Sequence, residues 1–170
     1  KGPIIFLGNE FFDAIPIKQF KKINNILHEK YVKLEKNSKI ITVFKKAKLK
    51  SIIDLKKYNL LEKQSFIEFP KQGLTELNLV INTVKKLTGG LLLIDYGFLK
   101  LQNKNTLQSI KNHKQNKLFD NVGGADITSL VNFNLLENYL RRRKLKINNV
   151  VTQEFFLKKM GIISRAEIVS

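Results

Sequence analysis

The chain contains no cysteine and no tryptophan, and only one methionine, three prolines and two histidines. Without cysteine it forms no disulfide and offers no thiolate to a metal, a usage that fits a reducing compartment. No run of about 18 or more apolar residues is present to span a membrane, and the first residues carry no signal-peptide pattern. Negative charge is also scarce. Fourteen Asp and Glu face 31 Lys and Arg, leaving a net charge of +17. Such a balance attracts nucleic acid, anionic lipid or acidic proteins. The basic residues are spread along the chain, however, with local density only at 44–50 and 141–146. Abundant Lys, Asn and Ile with little Arg and Pro is also what an AT-rich genome produces, and that explanation ranks ahead of a nucleic-acid footprint.

What is present suffices for one globular domain: 170 residues, 43% of them hydrophobic and 26% charged. Residues 3–9 read as a strand whose continuous apolar run, Ile4 to Leu7, suits burial on both faces. Residues 17–50 then alternate apolar and basic side chains around Asn24-Asn25 and Asn37-Ser38, the pattern of half-exposed antiparallel strands. A short helix is expected over 51–63. A stronger one follows, with Leu74, Leu77, Val80, Ile81, Val84 and Leu87 at helical spacing and Gly89-Gly90 as its stop. Leu91–Gly97 reads as a second buried strand, so helix, glycine stop and strand form half of a βαβ repeat. Residues 106–126 read as a long ordered loop. A helix capped near Asp126 or Thr128 should end in the cations of 141–146, which suit a C-terminal dipole. Residues 147–153 are expected as a strand, and 154–161 as a short helix closed by Gly161.

Both buried strands end in polar groups, Asn9/Glu10 and Asp95/Tyr96. If the strands are parallel neighbours, these groups share the rim where α/β sheets hold ligands. Each has a plainer reading. Asn9 or Glu10 can satisfy backbone amides, Asp13 can cap a turn before Pro16, and Asp95 can cap the turn that follows it. Gly97 serves backbone geometry. Phe11 and Phe12 read as core and pocket wall rather than stacking platforms. His28 lies in an alternating basic strand and reads as exposed. His113 has no second His or Cys nearby for a metal site. Asp126 and Thr128 read first as a cap, and the 141–146 run as a solvated helix end that an acidic partner or RNA could use.

Five segments resemble one family in order: "GNEFFDAIPIKQF" (8–20), "LIDYG" (93–97), "TLQSIKNH" (106–113), "GGADITSLVNF" (123–133) and "TQEFFLKKMG" (152–161). They are similar to the MidA-like S-adenosylmethionine-dependent methyltransferases of bacteria and mitochondria, whose mitochondrial members methylate arginine on a respiratory complex I subunit during assembly. The resemblance implies an α/β fold: a partial class I methyltransferase (Rossmann-like) sheet with an inserted antiparallel β subdomain at 17–50. Ile4–Asn9 and Leu91–Asp95 would be its strands 4 and 5. It also implies that 1–170 is the C-terminal portion of a methyltransferase domain, without the glycine-rich cofactor-binding half or the final strand. By itself such a portion should bind S-adenosylmethionine poorly and be inactive. A guanidinium acceptor is charged at physiological pH, and carboxylates can hold it bidentately and concentrate nucleophilic character on one nitrogen. The resemblance therefore makes Asn9, Glu10 and Asp13 the catalytic candidates, with Asn9 and Glu10 also meeting the cofactor. Asp95, Tyr96, Gln108 and His113 become candidates on the substrate side. The implied cofactor is S-adenosylmethionine, and the implied partner a protein substrate such as a complex I subunit, in a bacterial cytoplasm or a mitochondrial matrix. The competing reading is a non-catalytic basic α/β module that binds RNA or an acidic protein.

Overall fold

The computed structural model describes residues 2–169. Its elements run β1 (Ile5–Asn9), β2 (Lys18–Ile23), β3 (Ile26–Leu34), β4 (Ile40–Lys46), α1 (Leu49–Lys57), α2 (Leu60–Lys63), β5 (Phe66–Phe69) and α3 (Lys71–Leu87). These are followed by β6 (Gly90–Ile94), β7 (Gly97–Phe98), β8 (Gln108–Lys111), β9 (Lys114–Asn116), β10 (Asp126–Thr128) and β11 (Val131–Asn132). Three helices close the chain: α4 (Phe133–Arg142), α5 (Gln153–Lys159) and α6 (Ile162–Val169).

The strand–helix–strand reading is realised: β1 and β6 pair in parallel, from Ile5 opposite Gly90 to Asn9 opposite Ile94. The helix before β6 buries Leu74, Leu77, Ile81 and Val84 as its stripe, and Thr88 ends it in the left-handed conformation. Gly89 then passes so close to β1 that a Cβ there would lie 1.9 Å from the Ile4 carbonyl oxygen. The adjacent Gly90 N–H donates to that same oxygen at 2.8 Å. Only glycine permits this approach, and it sets the register of β6 on β1.

The alternating stretch forms antiparallel strands as expected, but the sheet has four members, in the order β4-β3-β2-β5. Its fourth strand, "FIEF", is too short for periodicity to announce. The inner face carries Phe20, Leu27, Ile67 and Phe69, which join Leu55, Leu60, Leu74, Leu77, Ile81, Leu135, Leu136 and Tyr139 in one core. The Tyr139 hydroxyl, buried there, donates to the Leu74 carbonyl at 2.7 Å. Glu29 is buried on the same face and is paired with Lys18, which lowers the cost of its charge.

Several expectations are corrected. The first strand is not covered on both faces: Ile5 is 80% and Leu7 67% exposed, because β1 pairs only with β6 and one face carries no packing layer among the described residues. The helix expected over 51–63 breaks into α1 and α2 at Tyr58-Asn59, where Asn59 turns left-handed. The loop expected over 106–126 contains a hairpin, β8–β9, turned at the left-handed pair Asn112-His113, and β10 pairs with β8 to make three strands. Asp126 and Thr128 therefore lie in a strand rather than at a helix cap. The cap of α4 is Asn132, whose side chain accepts from the Leu135 N–H at 3.0 Å. Residues 147–152 form no strand, since no neighbouring strand offers them a ladder. α5 is followed by Gly161 at φ +85°, as its sequence suggested, and is capped by Thr152, a residue expected within the strand over 147–153. Among the described residues no helix is long and apolar enough to cross a membrane.

Candidate functional site

Parallel pairing carries the ends of β1 and β6 to one edge. Immediately after β1, Glu10 adopts φ +49° and its N–H donates to the Ile94 carbonyl at 2.8 Å. A left-handed conformation is uncommon for a side chain of this size and is held only by its surroundings. It folds residues 11–13 back over the end of β6, where Asp95 receives them. The Asp95 Oδ2 accepts from the Phe12 N–H at 2.8 Å and the Asp13 N–H at 3.3 Å. Its Oδ1 accepts from the Tyr96 N–H at 2.8 Å. One carboxylate thus fixes both loops. Burial pushes the Asp95 carboxyl above its ordinary value, opposed by the Phe12 amide and reinforced by the charge of Asp13.

A third segment closes on the same rim. Ser129, buried, donates its backbone N–H to the Asp13 carbonyl at 2.9 Å, and the Val131 N–H donates to the Tyr96 carbonyl at 2.8 Å. β11 then pairs in parallel with β7, placing Val131 opposite Gly97. A Cβ on Gly97 would lie 2.2 Å from the Val131 carbonyl oxygen and 2.7 Å from the Phe133 ring. Glycine is required here by close approach, which gives its role in backbone geometry a specific cause.

The rim separates its polar residues into two kinds. Asp95 is spent on backbone amides, the plainer of its two readings. Asn9, Glu10 and Tyr96 are exposed and Asp13 half-buried, and none of these four side chains makes a hydrogen bond or ion pair among the described residues. Neither the amide-satisfying reading of Asn9 and Glu10 nor the turn-capping reading of Asp13 is realised. Phe12 is buried, while Phe11 stands 47% exposed and meets it edge-on at 5.4 Å between ring centroids.

Gln108 and His113 are not brought together. Gln108, at the start of β8, donates from Nε2 to the Thr128 Oγ1 at 3.1 Å. Thr106, two residues earlier, accepts from the Leu130 N–H at 3.0 Å, so this end of β8 is anchored next to Ser129. His113 sits in the β8–β9 turn at φ +59°, exposed, roughly 15 Å further along the strand and with no hydrogen bond to either rim loop. Sequence reasoning missed Ser129 and Asn132, both inside one of the family-like segments, because an ordinary Ser or Asn there carries no local signal. It also missed a polar cluster in which Glu68 accepts from Gln19, Thr106 and the Thr106 N–H.

A cavity of about 20 Å³ lies behind Phe12, bounded by Gln64, Phe98, Gln102, Ser129 and Leu136. It has room for about one water and is far too small for a nucleoside or an arginine side chain. Close glycines occur only at 89–90 and 123–124, and neither pair forms a phosphate- or nucleotide-type turn between a strand and a helix. The described residues therefore enclose no cavity that would hold a nucleoside. No cluster of three or more His, Asp or Glu among them could hold a metal ion.

The comparisons with known proteins agree with this architecture. Residues 1–151 match the model of a family described as "putative S-adenosyl-L-methionine-dependent methyltransferase". The mitochondrial protein arginine methyltransferase NDUFAF7 homolog of Caenorhabditis elegans is 32% identical over 167 residues, 96% of this chain and 39% of that protein. The mitochondrial protein arginine methyltransferase NDUFAF7 of Danio rerio is 26% identical over 176 residues, 99% of this chain and 40% of that protein. The chain thus spans about two fifths of the length of the curated relatives it matches. Among solved structures, a Burkholderia thailandensis protein bound to S-adenosyl-homocysteine superposes with a TM-score of 0.63 at 19% identity, covering 83% of this chain and 38% of its own. With strand, helix and strand in register and a family match over 151 of its 170 residues, the chain belongs to the S-adenosylmethionine-dependent methyltransferase family that the model describes.

Proposed function

We propose that this chain forms the acceptor side of an S-adenosylmethionine-dependent methyltransferase that acts on arginine in a protein. The observation that supports the reading is the rim itself: Asn9, Glu10, Asp13 and Tyr96, without a partner among the described residues, on two loops that Asp95 locks together. When bound, S-adenosylmethionine supplies an electrophilic methyl group, and such a transfer depends chiefly on alignment. Glu10 and Asp13 hold the guanidinium from the loop after β1, offset its charge and leave one nitrogen free to react. Asn9, with both a donor and an acceptor, stands at the boundary between acceptor and cofactor. Tyr96 and Gln108 border the substrate, and His113 meets it only if the substrate is an extended protein surface. In this reading β1 and β6 are strands 4 and 5 of the methyltransferase sheet, and residues 17–50 are an insertion into it. The relatives' names, mitochondrial protein arginine methyltransferases, support a protein substrate, and the resemblance of the sequence suggests a subunit of complex I.

The test is thermal stability and methyl transfer of the full-length gene product with and without S-adenosylmethionine. The melting temperature should rise with cofactor, and mass spectrometry should find monomethyl or dimethyl arginine on a protein substrate. No shift and no modified arginine would remove the proposal.

A further inference from the structure

One of the two local densities of basic residues, 44–50, begins where the fold leaves a strand edge open. β4 is the last strand of its sheet, and its sequence is an apolar centre, Ile40 to Phe44, between Lys39 and the Lys45-Lys46 pair. The Ala47 N–H donates to the Leu27 carbonyl and the Glu35 N–H to the Lys39 carbonyl. With the register Tyr31 opposite Val43, antiparallel alternation gives the ladder bonds of β4 to residues 41, 43 and 45. The N–H and C=O groups of Thr42, Phe44 and Lys46 consequently point away from the sheet, toward its open edge.

The outer surface beside that edge is prepared in the same sense. Val32 is 60% and Phe44 38% exposed, and they flank Thr42 on the outer face. The β2–β5 side of this face is closed by residues 103–105, through Gln19 to Asn105 and the Ser65 N–H to Asn103. The β3–β4 side is not. Among the described residues neither Lys39 nor Lys46 has an ion-pair partner.

We propose that β4 docks an extended polypeptide segment as a fifth strand, one with an apolar, β-prone centre and Asp or Glu at its ends. Backbone pairing supplies affinity, the apolar centre meets Phe44 and Val43, and the acidic ends meet Lys39 and Lys46. A second copy of this chain is disfavoured because β4 against β4 brings lysines onto lysines. Single-stranded RNA is a poorer fit, since the face offers aliphatic side chains and one exposed phenylalanine in place of a series of stacking rings. The inference does not depend on methyl transfer, and its failure would leave that reading untouched.

The experiment is fluorescence anisotropy of a short labelled peptide with acidic ends and alternating valine and threonine between them, against the purified protein. Thr42→Pro removes an outward N–H without breaking a ladder bond, a position where sheets tolerate proline. It should weaken binding about tenfold or more while leaving the far-ultraviolet spectrum intact. The paired variant Lys39→Glu with Lys46→Glu should weaken it similarly and flatten its salt dependence. Absence of binding, or wild-type affinity in a folded Thr42→Pro protein or in the double variant, overturns the proposal. So does displacement of the peptide by an oligouridylate of equal charge, which would assign the surface to RNA.

Discussion

The two principal sheets use similar apolar strands to opposite ends. In the antiparallel sheet the inner face is sealed: Phe20 and Ile67 are each 1% exposed and lie in a core shared with α1, α3 and α4. In the parallel pair, Ile5 and Leu7 stand in solvent, and the strand ends are held by hydrogen bonds together with the burial of Phe12 and Val131. The Asp95 carboxylate, the left-handed turn at Glu10 and the close approach at Gly97 fix three loops around side chains that have no partner among the described residues. Burial gives the domain its stability, and backbone-directed polar contacts give the rim its shape.

Substitutions that separate these two roles should differ in size. Phe20→Ala should cost about 3–5 kcal/mol in urea unfolding, whereas Leu7→Ala in the same chain should change stability by no more than about 0.5 kcal/mol. Equal effects would mean that β1 is packed on both faces. Gly97→Ala should cost about 1–3 kcal/mol, because the new methyl group forces β7 away from β11. Its signature would be faster amide exchange at Val131, whose N–H bonds to Tyr96, with exchange in the antiparallel sheet unchanged.

Asp95→Asn comes next, at about 1–2 kcal/mol, because both carboxylate oxygens accept from backbone N–H groups and the amide turns an NH2 donor toward one of them. Its pH dependence is the sharper readout. The folded carboxyl titrates above the ordinary value of 3.8, so between the two values the folded state binds more protons than the unfolded one. Its contribution to stability is therefore fully present below the unfolded value and declines as pH rises through the folded one. The Asn variant should lack that decline in acid-range melting curves, and an unchanged slope would show that another group is responsible.

Much of this arrangement is legible in the sequence. The continuous apolar run before Gly8, the helical spacing from Leu74 to Leu87 and the glycine pair before Leu91 give the parallel unit, because each signal is local. The alternation from Lys18 to Lys46 gives the antiparallel strands for the same reason. What escapes is set by tertiary partners. "FIEF" becomes a strand by pairing with β2. Asn112-His113 turns left-handed without the glycine that normally marks such a turn. Asp126 and Thr128 have good capping chemistry, yet β10 claims them and Asn132 caps instead. At the rim, the sequence places the acidic loops together but leaves open which carboxylate braces the backbone and which ones remain free. That division depends on loop geometry no spacing rule encodes.

The most direct test of the account is the rate of arginine methylation by the full-length gene product with Glu10→Gln, followed by mass spectrometry on its protein substrate. The exposed side chain has no partner among the described residues, so the variant should melt as the wild type does and lose transfer on the order of a hundredfold. A variant that folds and methylates at the wild-type rate would contradict the assignment of this rim to the methyl acceptor.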